Sequence, residues 1–317
     1  MFPVIQLGSL QIPSYFLMLT IGYLITSYVA FRDFDRMGIP RNRSVDLVMA
    51  LFIAGIVGAR LLSVVADGYF MDYVHLCTNP KLVYPEKLPG NRLCIRDSQC
   101  KTAQKGELCD TSTGLCHPGR DCLRAFKFWY GGLTFYGGVI LAILVAFWYI
   151  RRFKLPWIKI LDTGGWGIAL GLGFGRIGCL LAGCCFGLPC PGHHWYCLAF
   201  PRGSPAWEHQ VNELHILSGS ALHSLPVYPT QPLHSISNFL IFAFLYFYLR
   251  PRRRFDGQVF YAFLMLYSAT RFLIEFIRGD PRGTLLGLST SQTMGIPVFL
   301  LALGMYLWAG RKNKKVE

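Results

Sequence analysis

The sequence predicts an all-α polytopic membrane protein: seven transmembrane helices, the N-terminus outside and the C-terminus cytoplasmic, with a disulfide-rich exported insert. Three observations carry that reading. Hydrophobic residues make up 53% of the 317-residue chain and charged residues only 15%. Mean hydropathy is +0.37, a balance seldom met in soluble globular domains. Apolar runs long enough to cross about 30 Å of hydrocarbon recur along the chain, and basic residues gather in alternate loops.

The apolar runs place spans at about residues 13–31, 45–66, 132–150, 161–182, 232–249, 258–277 and 291–309. Arg32, Arg36, Arg41 and Arg43 follow the first, and Arg151, Arg152, Lys154 and Lys159 the third. Arg250, Arg252, Arg253 and Arg254 follow the fifth, and Arg311, Lys312, Lys314 and Lys315 the seventh. Loops so enriched face the cytoplasm, which sets the orientation. Sixteen of the 31 basic residues are thereby explained by topology. The net charge of +14 is not gathered into a patch with stacking aromatics, so no nucleic-acid partner is expected. The N-terminal MFPVIQLGSLQIPS has no basic n-region, so the first span is expected to stay in the mature protein.

Composition divides the chain into a membrane domain of residues 1–66 and 128–317, an exported insert at 67–127 between spans two and three, and an outer interfacial head segment at 184–231. The insert carries Cys77, Cys94, Cys100, Cys109, Cys116 and Cys122. Six cysteines in a short exported stretch read as three disulfides, one of fifteen pairings. A zinc site fits less well, because paired CxxC knuckles are missing and few histidines, His117 among them, accompany the cysteines.

In the head segment, CPGHHWYC at 190–197 and Trp207 supply interfacial aromatics, and Trp195, Tyr196 and Trp207 are expected to lie along the bilayer surface. Cys184, Cys185, Cys190 and Cys197 with His193 and His194 could chelate a metal. One or two further disulfides fit better, since adjacent ligands such as Cys184 and Cys185 suit one tetrahedral site poorly. No metal site and no cofactor are expected.

Ionisable side chains inside a span cost about 2.5–3.5 kcal/mol at its centre and are functional candidates. They are Arg60, Arg176, and Arg271 with Glu275. In YSATRFLIEFIR at 267–278, Tyr267, Arg271 and Glu275 fall four residues apart and share one helix face. Arg271 and Glu275 can neutralise one another as a structural pair, but Arg60 and Arg176 have no in-span carboxylate left. A buried excess of guanidinium calls for an anion, and its planar fork suits phosphate. In a bilayer that phosphate belongs to a phospholipid headgroup. Gly171, Gly173, Gly175 and Gly178 around Arg176 thin the helix surface, for a headgroup or for a neighbouring helix.

These parts, in this order, resemble the prolipoprotein diacylglyceryl transferase family. The resemblance rests on IPSYFLM at 12–18, GAR at 58–60, GGLTFYGG at 131–138, GRIGCLLAGCCFG at 175–187, YPTQ at 228–231, YSATRFLIEFIR and SQTMGIP at 291–297. It covers nearly the whole chain apart from the cysteine-rich insert, and the family's seven spans with an outside N-terminus agree with the charge pattern. Of the family's GRxGNFxNxExxG signature, Gly175, Arg176, Gly178 and Gly187 are kept, while Cys179, Ala182 and Cys184 replace two asparagines and a glutamate. Tyr136 and Tyr228 stand where many members have histidines.

The resemblance implies transfer of a diacylglyceryl group from phosphatidylglycerol to the lipobox cysteine thiol of preprolipoprotein signal peptides, in a bacterial inner (cytoplasmic) membrane. It implies phospholipid binding by Arg176, Arg60, Arg271, Tyr15, Gly175 and Gly178, and catalysis by Arg176, Arg271, Glu275, Tyr136 and Tyr267. Arg176 and Arg271 would stabilise the phosphate leaving group. The thiol proton needs a base; a phenol is a poor one at neutral pH, and Cys184 is a substitute of nearer pKa. A second reading is a catalytically altered relative that binds phospholipid or lipoprotein, or uses another acceptor. A thiol-redox protein is a third, for which the sequence offers no CxxC couple.

Overall fold

The computed structural model describes residues 4–7, 10–66, 70–83, 93–102, 106–126, 134–192, 194–280, 283–285 and 287–313. In chain order its elements are β1 (Val4–Leu7), β2 (Leu10–Pro13), α1 (Ser14–Arg36), α2 (Arg41–Ala66), α3 (Phe70–Thr78), α4 (Asp97–Thr102), β3 (Leu108–Asp110) and β4 (Leu115–His117). They continue with α5 (Phe135–Arg152), α6 (Trp157–Ala182), α7 (Pro205–Glu208), α8 (Thr230–Ala243), α9 (Gln258–Glu275), β5 (Thr284–Leu285), β6 (Leu288–Ser289) and α10 (Thr290–Asn313). Among the described residues, five helical stretches are long and apolar enough to cross a membrane: Ser14–Arg36, Arg41–Val65, Trp157–Ala182, Thr230–Arg252 and Thr290–Lys312. The chain packs as two compact units, Met1–Arg41 with Pro156–Glu317, and Asn42–Leu155. Packing follows a different line from composition, for the insert groups with the helices on either side of it.

In the first unit α6 is central, with α1, α8 and α9 packed around it. Its small residues permit this. A Cβ on Gly173 would lie 2.6 Å from the Phe239 ring, and one on Gly165 2.9 Å from the Phe260 Cα, so both glycines are helix crossings. The interior is polar for a helical bundle: Ser27, Thr163, Gln231, His234, Ser235, Asn238 and Gln258 are buried, while Leu240, Leu273, Leu300 and Leu301 are exposed. That inversion suits a hydrocarbon surround.

Asp162 shows how polar groups are satisfied inside. Gly257, left-handed at the start of α9, offers no capping side chain. The Asp162 carboxylate on α6 instead accepts from the amides of Gly257 (2.9 Å), Val259 (2.9 Å) and Phe260 (3.1 Å), which are orphan donors of the first turn. At the neighbouring end of α1, the buried Asp33 carboxylate accepts from Arg250 and from the Trp166 indole at 3.2 Å.

Residues 184–229 fold over their own small core of Phe186, Phe200, Ala206 and Val227. Trp207 belongs to that interior, its indole donating to the Ala221 carbonyl at 2.9 Å. This corrects the expectation that it anchors at the bilayer surface: a satisfied indole N–H and burial leave it no headgroup contact to make. Trp195 is 95% exposed. One disulfide joins Cys190 to Cys197, and Cys184 and Cys185 are free thiols. His193 lies outside the described residues.

In the second unit α2 and α5 cross at backbone contact. A Cβ on Gly58 would sit 2.4 Å from the Gly137 carbonyl oxygen, and one on Gly137 2.2 Å from that of Gly58. Gly58 of GAR and Gly137 of the Tyr136 motif therefore share one reason, the close crossing of two helices. The insert is tied by Cys77–Cys122, Cys94–Cys109 and Cys100–Cys116, the three bridges expected. Cys94, Cys100, Cys109 and Cys116 form its buried centre.

Candidate active site

GRIGCLLAGCCFG ends α6 and begins a tight return. Gly183 is left-handed at φ +75°, and the Cys184 amide donates to the Cys179 carbonyl at 3.2 Å, a glycine-terminated helix end. Cys185 is also left-handed, at φ +59°, a region that costs a non-glycine residue roughly 1–2 kcal/mol. The sulfurs of Cys179, Cys184 and Cys185 consequently lie within 4.8 Å of one another.

Two neighbours hold this turn. From α8, Thr230 Oγ1 donates to the Cys185 carbonyl at 2.8 Å and Gln231 Nε2 to the Cys184 carbonyl at 2.9 Å. From beyond α9, the Gly279 amide reaches the Phe186 carbonyl at 3.1 Å, and the Leu188 amide reaches that of Ile277 at 2.9 Å. Gly187 is needed there because a Cβ would approach the Tyr228 carbonyl oxygen to 2.5 Å. This short pairing brings Arg278 to Cys185.

Arg278 is buried, with Nε and Nη2 on the Asp280 carboxylate at 2.9 and 2.8 Å and Nε 3.7 Å from Glu275 Oε2. Its Nη1 has no hydrogen-bond partner among the described residues. Burial works against its charge, and the hydrogen bond and charge of Asp280 outweigh that, so its pKa is raised above the usual guanidinium range. On α9, Arg271 pairs with Glu275 and donates to Ser291 Oγ at 2.9 Å.

Arg176 is half-buried, and among the described residues no carboxylate lies within 4 Å of it. Its electrostatic neighbours are Cys179, Cys185, Tyr267 and Arg278. Arg271 and Arg278 thus share two carboxylates, Glu275 and Asp280, and Arg176 adds the positive charge that is left over. The Cys184 thiol donates to the Cys179 carbonyl at 3.8 Å, and Arg176 and Arg278 are the charged neighbours of Cys185.

Of the residues picked from sequence, Tyr15, Arg176, Gly175, Gly178, Tyr267, Arg271 and Glu275 all belong to the first unit. Tyr15 interacts electrostatically with Arg176 and the three thiols, and a Cβ on Gly178 would lie 3.0 Å from its ring and 3.2 Å from its Cα. Gly178 is therefore the seat of Tyr15, while Gly175 has only Leu19 in reach, at 3.5 Å. Arg60 and Tyr136 belong to the second unit. The Arg60 guanidinium donates to the carbonyls of Arg124 and Ala125, both at 2.7 Å, and Tyr136 is 60% exposed.

Two residues escaped the sequence reading. Arg278 follows Glu275 by three and Arg271 by seven, so the helical spacing that selected those two also points to it. His234 is buried with Nε2 unpartnered and interacts with Arg176, Arg271, Arg278 and Cys185; nothing in its spacing marks it.

A bundle of apolar helices carrying an arginine-rich polar cluster at the end of its central helix defines a multi-pass membrane protein with an ionic site. The family model for prolipoprotein diacylglyceryl transferase matches residues 3–83 and 115–308. The chain belongs to that family, and is a transferase of a multi-pass bacterial membrane type. The phosphatidylglycerol-prolipoprotein diacylglyceryl transferase of Clostridium tetani is 26% identical over 303 residues, 96% of this chain and 94% of the relative. The second such transferase of Clostridium perfringens is 34% identical over 189 residues, 60% of this chain and 66% of the relative. That of Paracidovorax citrulli is 30% identical over 203 residues, 62% and 66% of the two. Residues 84–114, unmatched by the family model, form the middle of the cysteine-rich insert.

Proposed function

We propose that the chain transfers a diacylglyceryl group from phosphatidylglycerol to the lipobox cysteine thiol of preprolipoproteins, releasing glycerol phosphate, as the first step of lipoprotein maturation. It works in the inner membrane with seven spans, α5 and α9 completing the set, N-terminus outside and C-terminus cytoplasmic. The observation that carries this reading is Arg176, half-buried beside Tyr267 and without a carboxylate partner among the described residues, in a cluster of net positive charge.

Arg176 takes the lipid phosphate. Arg271, already paired with Glu275, holds the site's shape and lends partial charge. As the thiol sulfur attacks the glyceryl carbon, the carbon–oxygen bond to phosphate breaks and negative charge builds on the leaving group. A fixed guanidinium in a water-poor site meets that charge without reorganising. Tyr15 and Tyr267 line the approach and supply phenolic donors. The second reading, a relative that binds phospholipid or lipoprotein without transfer or uses another acceptor, is motivated by Tyr136 and Cys184, which stand where the resemblance implies a histidine and a glutamate.

The test is labelling of a lipobox peptide by phosphatidylglycerol with the purified protein in detergent. Wild type labels, and Arg176→Ala falls by roughly 10²–10³-fold. Failure to label, together with failure to sustain lipoprotein maturation in transferase-depleted cells despite confirmed insertion, overturns the transferase reading.

A further inference from the structure

The three free thiols of Cys179, Cys184 and Cys185 are the feature that the proposed reaction leaves unused. They come from two elements, the last turn of α6 and the return beyond it, and converge because Cys185 takes a left-handed backbone. Adjacent cysteines in regular structure point apart; here the turn, held by Thr230, Gln231 and the 277–279 pairing, turns both sulfurs toward Cys179. The objection that adjacent cysteines serve one metal poorly is thus met by the fold.

We propose that Cys179, Cys184 and Cys185 bind a zinc ion as three thiolates, with the fourth tetrahedral position open to the acceptor thiol. Zinc–sulfur bonds of about 2.3 Å place the sulfurs of such a site roughly 3.8 Å apart. The thiols, within 4.8 Å of one another, reach that by small side-chain rotations. Three protein ligands and one open position are the arrangement of catalytic rather than structural zinc. Electrostatics agree: zinc with three thiolates carries one negative charge, and Arg176, whose neighbours include Cys179 and Cys185, offsets it.

The consequence rests on the transferase reading of this site. A thiol that coordinates zinc loses its proton, which passes to water. The bound sulfur then forms its bond to the glyceryl carbon, and the electron pair of the breaking carbon–oxygen bond leaves with glycerol phosphate. The ion undergoes no redox change. Thiol activation would then need no side-chain base, and two of the three ligands, Cys179 and Cys184, stand at positions where the chain departs from the family signature.

The experiment is titration of the full-length, metal-stripped protein in detergent with Co(II) and with Zn(II). One equivalent of Co(II) should produce thiolate-to-cobalt charge-transfer absorption that zinc displaces, and the C179S/C184S/C185S variant should show none. Addition of a lipobox peptide should shift the cobalt ligand-field bands, whereas its Cys→Ser version should not. Absence of stoichiometric binding under reducing conditions, or binding that survives in the triple variant, overturns the site. An unshifted spectrum with the cysteine peptide overturns the open position. Transfer activity is measured in parallel: a protein that transfers while binding no metal refutes this proposal alone, and one that binds zinc at these thiols yet never transfers refutes the transferase reading and leaves the site standing.

Discussion

Arg271 and Glu275 form a buried ion pair one helical turn apart on α9, and Arg278 approaches the same carboxylate from one turn further on. One acid therefore serves two guanidinium groups, and Asp280 completes the neutralisation of the second. Arg176 is the arginine of the cluster with no carboxylate within reach among the described residues, which separates its role from that of its neighbours.

Glu275→Gln tests this division. Removing the shared carboxylate leaves Arg271 buried and uncompensated, which costs about 3–5 kcal/mol. We expect a lower apparent unfolding temperature in detergent, whereas Arg176→Ala leaves it nearly unchanged. Equal destabilisation by both would contradict the separation.

Asp162 should behave as a remote helix cap. Asp162→Ala strips acceptors from three amides at the start of α9 and is expected to cost about 1–3 kcal/mol. Hydrogen exchange should accelerate first at Val259 and Phe260; uniform acceleration along the chain would argue against a capping role.

Gly137→Val puts side-chain atoms where the Gly58 carbonyl lies, 2.2 Å from an ideal Cβ. Backbone against backbone has no flexible side chain to give way, so α2 and α5 must separate. Expected is a loss of monodisperse protein on size exclusion, against a wild-type profile for Gly164→Ala, where a Cβ meets nothing within 4 Å.

Alkylation of the denatured, metal-free, unreduced chain should add three groups, on Cys179, Cys184 and Cys185, with the other eight cysteines paired. Breaking Cys77–Cys122 by paired Ser substitution should destabilise the insert by about 2–5 kcal/mol. Five or more alkylated sites would refute the pairing.

Asp110 carries a pH signature. Hydrogen bonds from the Ser112 hydroxyl and amide, then the charge of Lys81, hold its carboxyl below the usual carboxylate range. A depressed folded pKa stabilises the insert above the unfolded value of about 3.9, and that contribution disappears as pH falls through the folded value. Carboxyl-carbon NMR of Asp110 should show a midpoint under 3.8, moving up in Ser112→Ala; a midpoint that ignores Ser112→Ala would remove this cause.

The helices were legible in the sequence because hydrocarbon imposes length and apolarity on any segment that crosses it. The insert was legible in kind, since six cysteines in one short polar segment pair, but not in pairing, since nothing local distinguishes fifteen possibilities. Arg176, Arg271 and Glu275 stood out because a charge inside an apolar run is costly without a use, and Tyr267 because it shares their helix face; Tyr15 came from the family resemblance alone. Trp207 misled, because an aromatic near a membrane surface and one in a small folded core look alike in one dimension.

Composition and spacing alone place this chain in a membrane and give its apolar runs more guanidinium than carboxylate. Which arginine has no carboxylate within reach among the described residues, and which cysteines meet, follow from contacts between distant segments. Both depend on a backbone turning left-handed at Gly183 and Cys185 and pairing with residues 277–279, some ninety positions away, where no periodicity reaches.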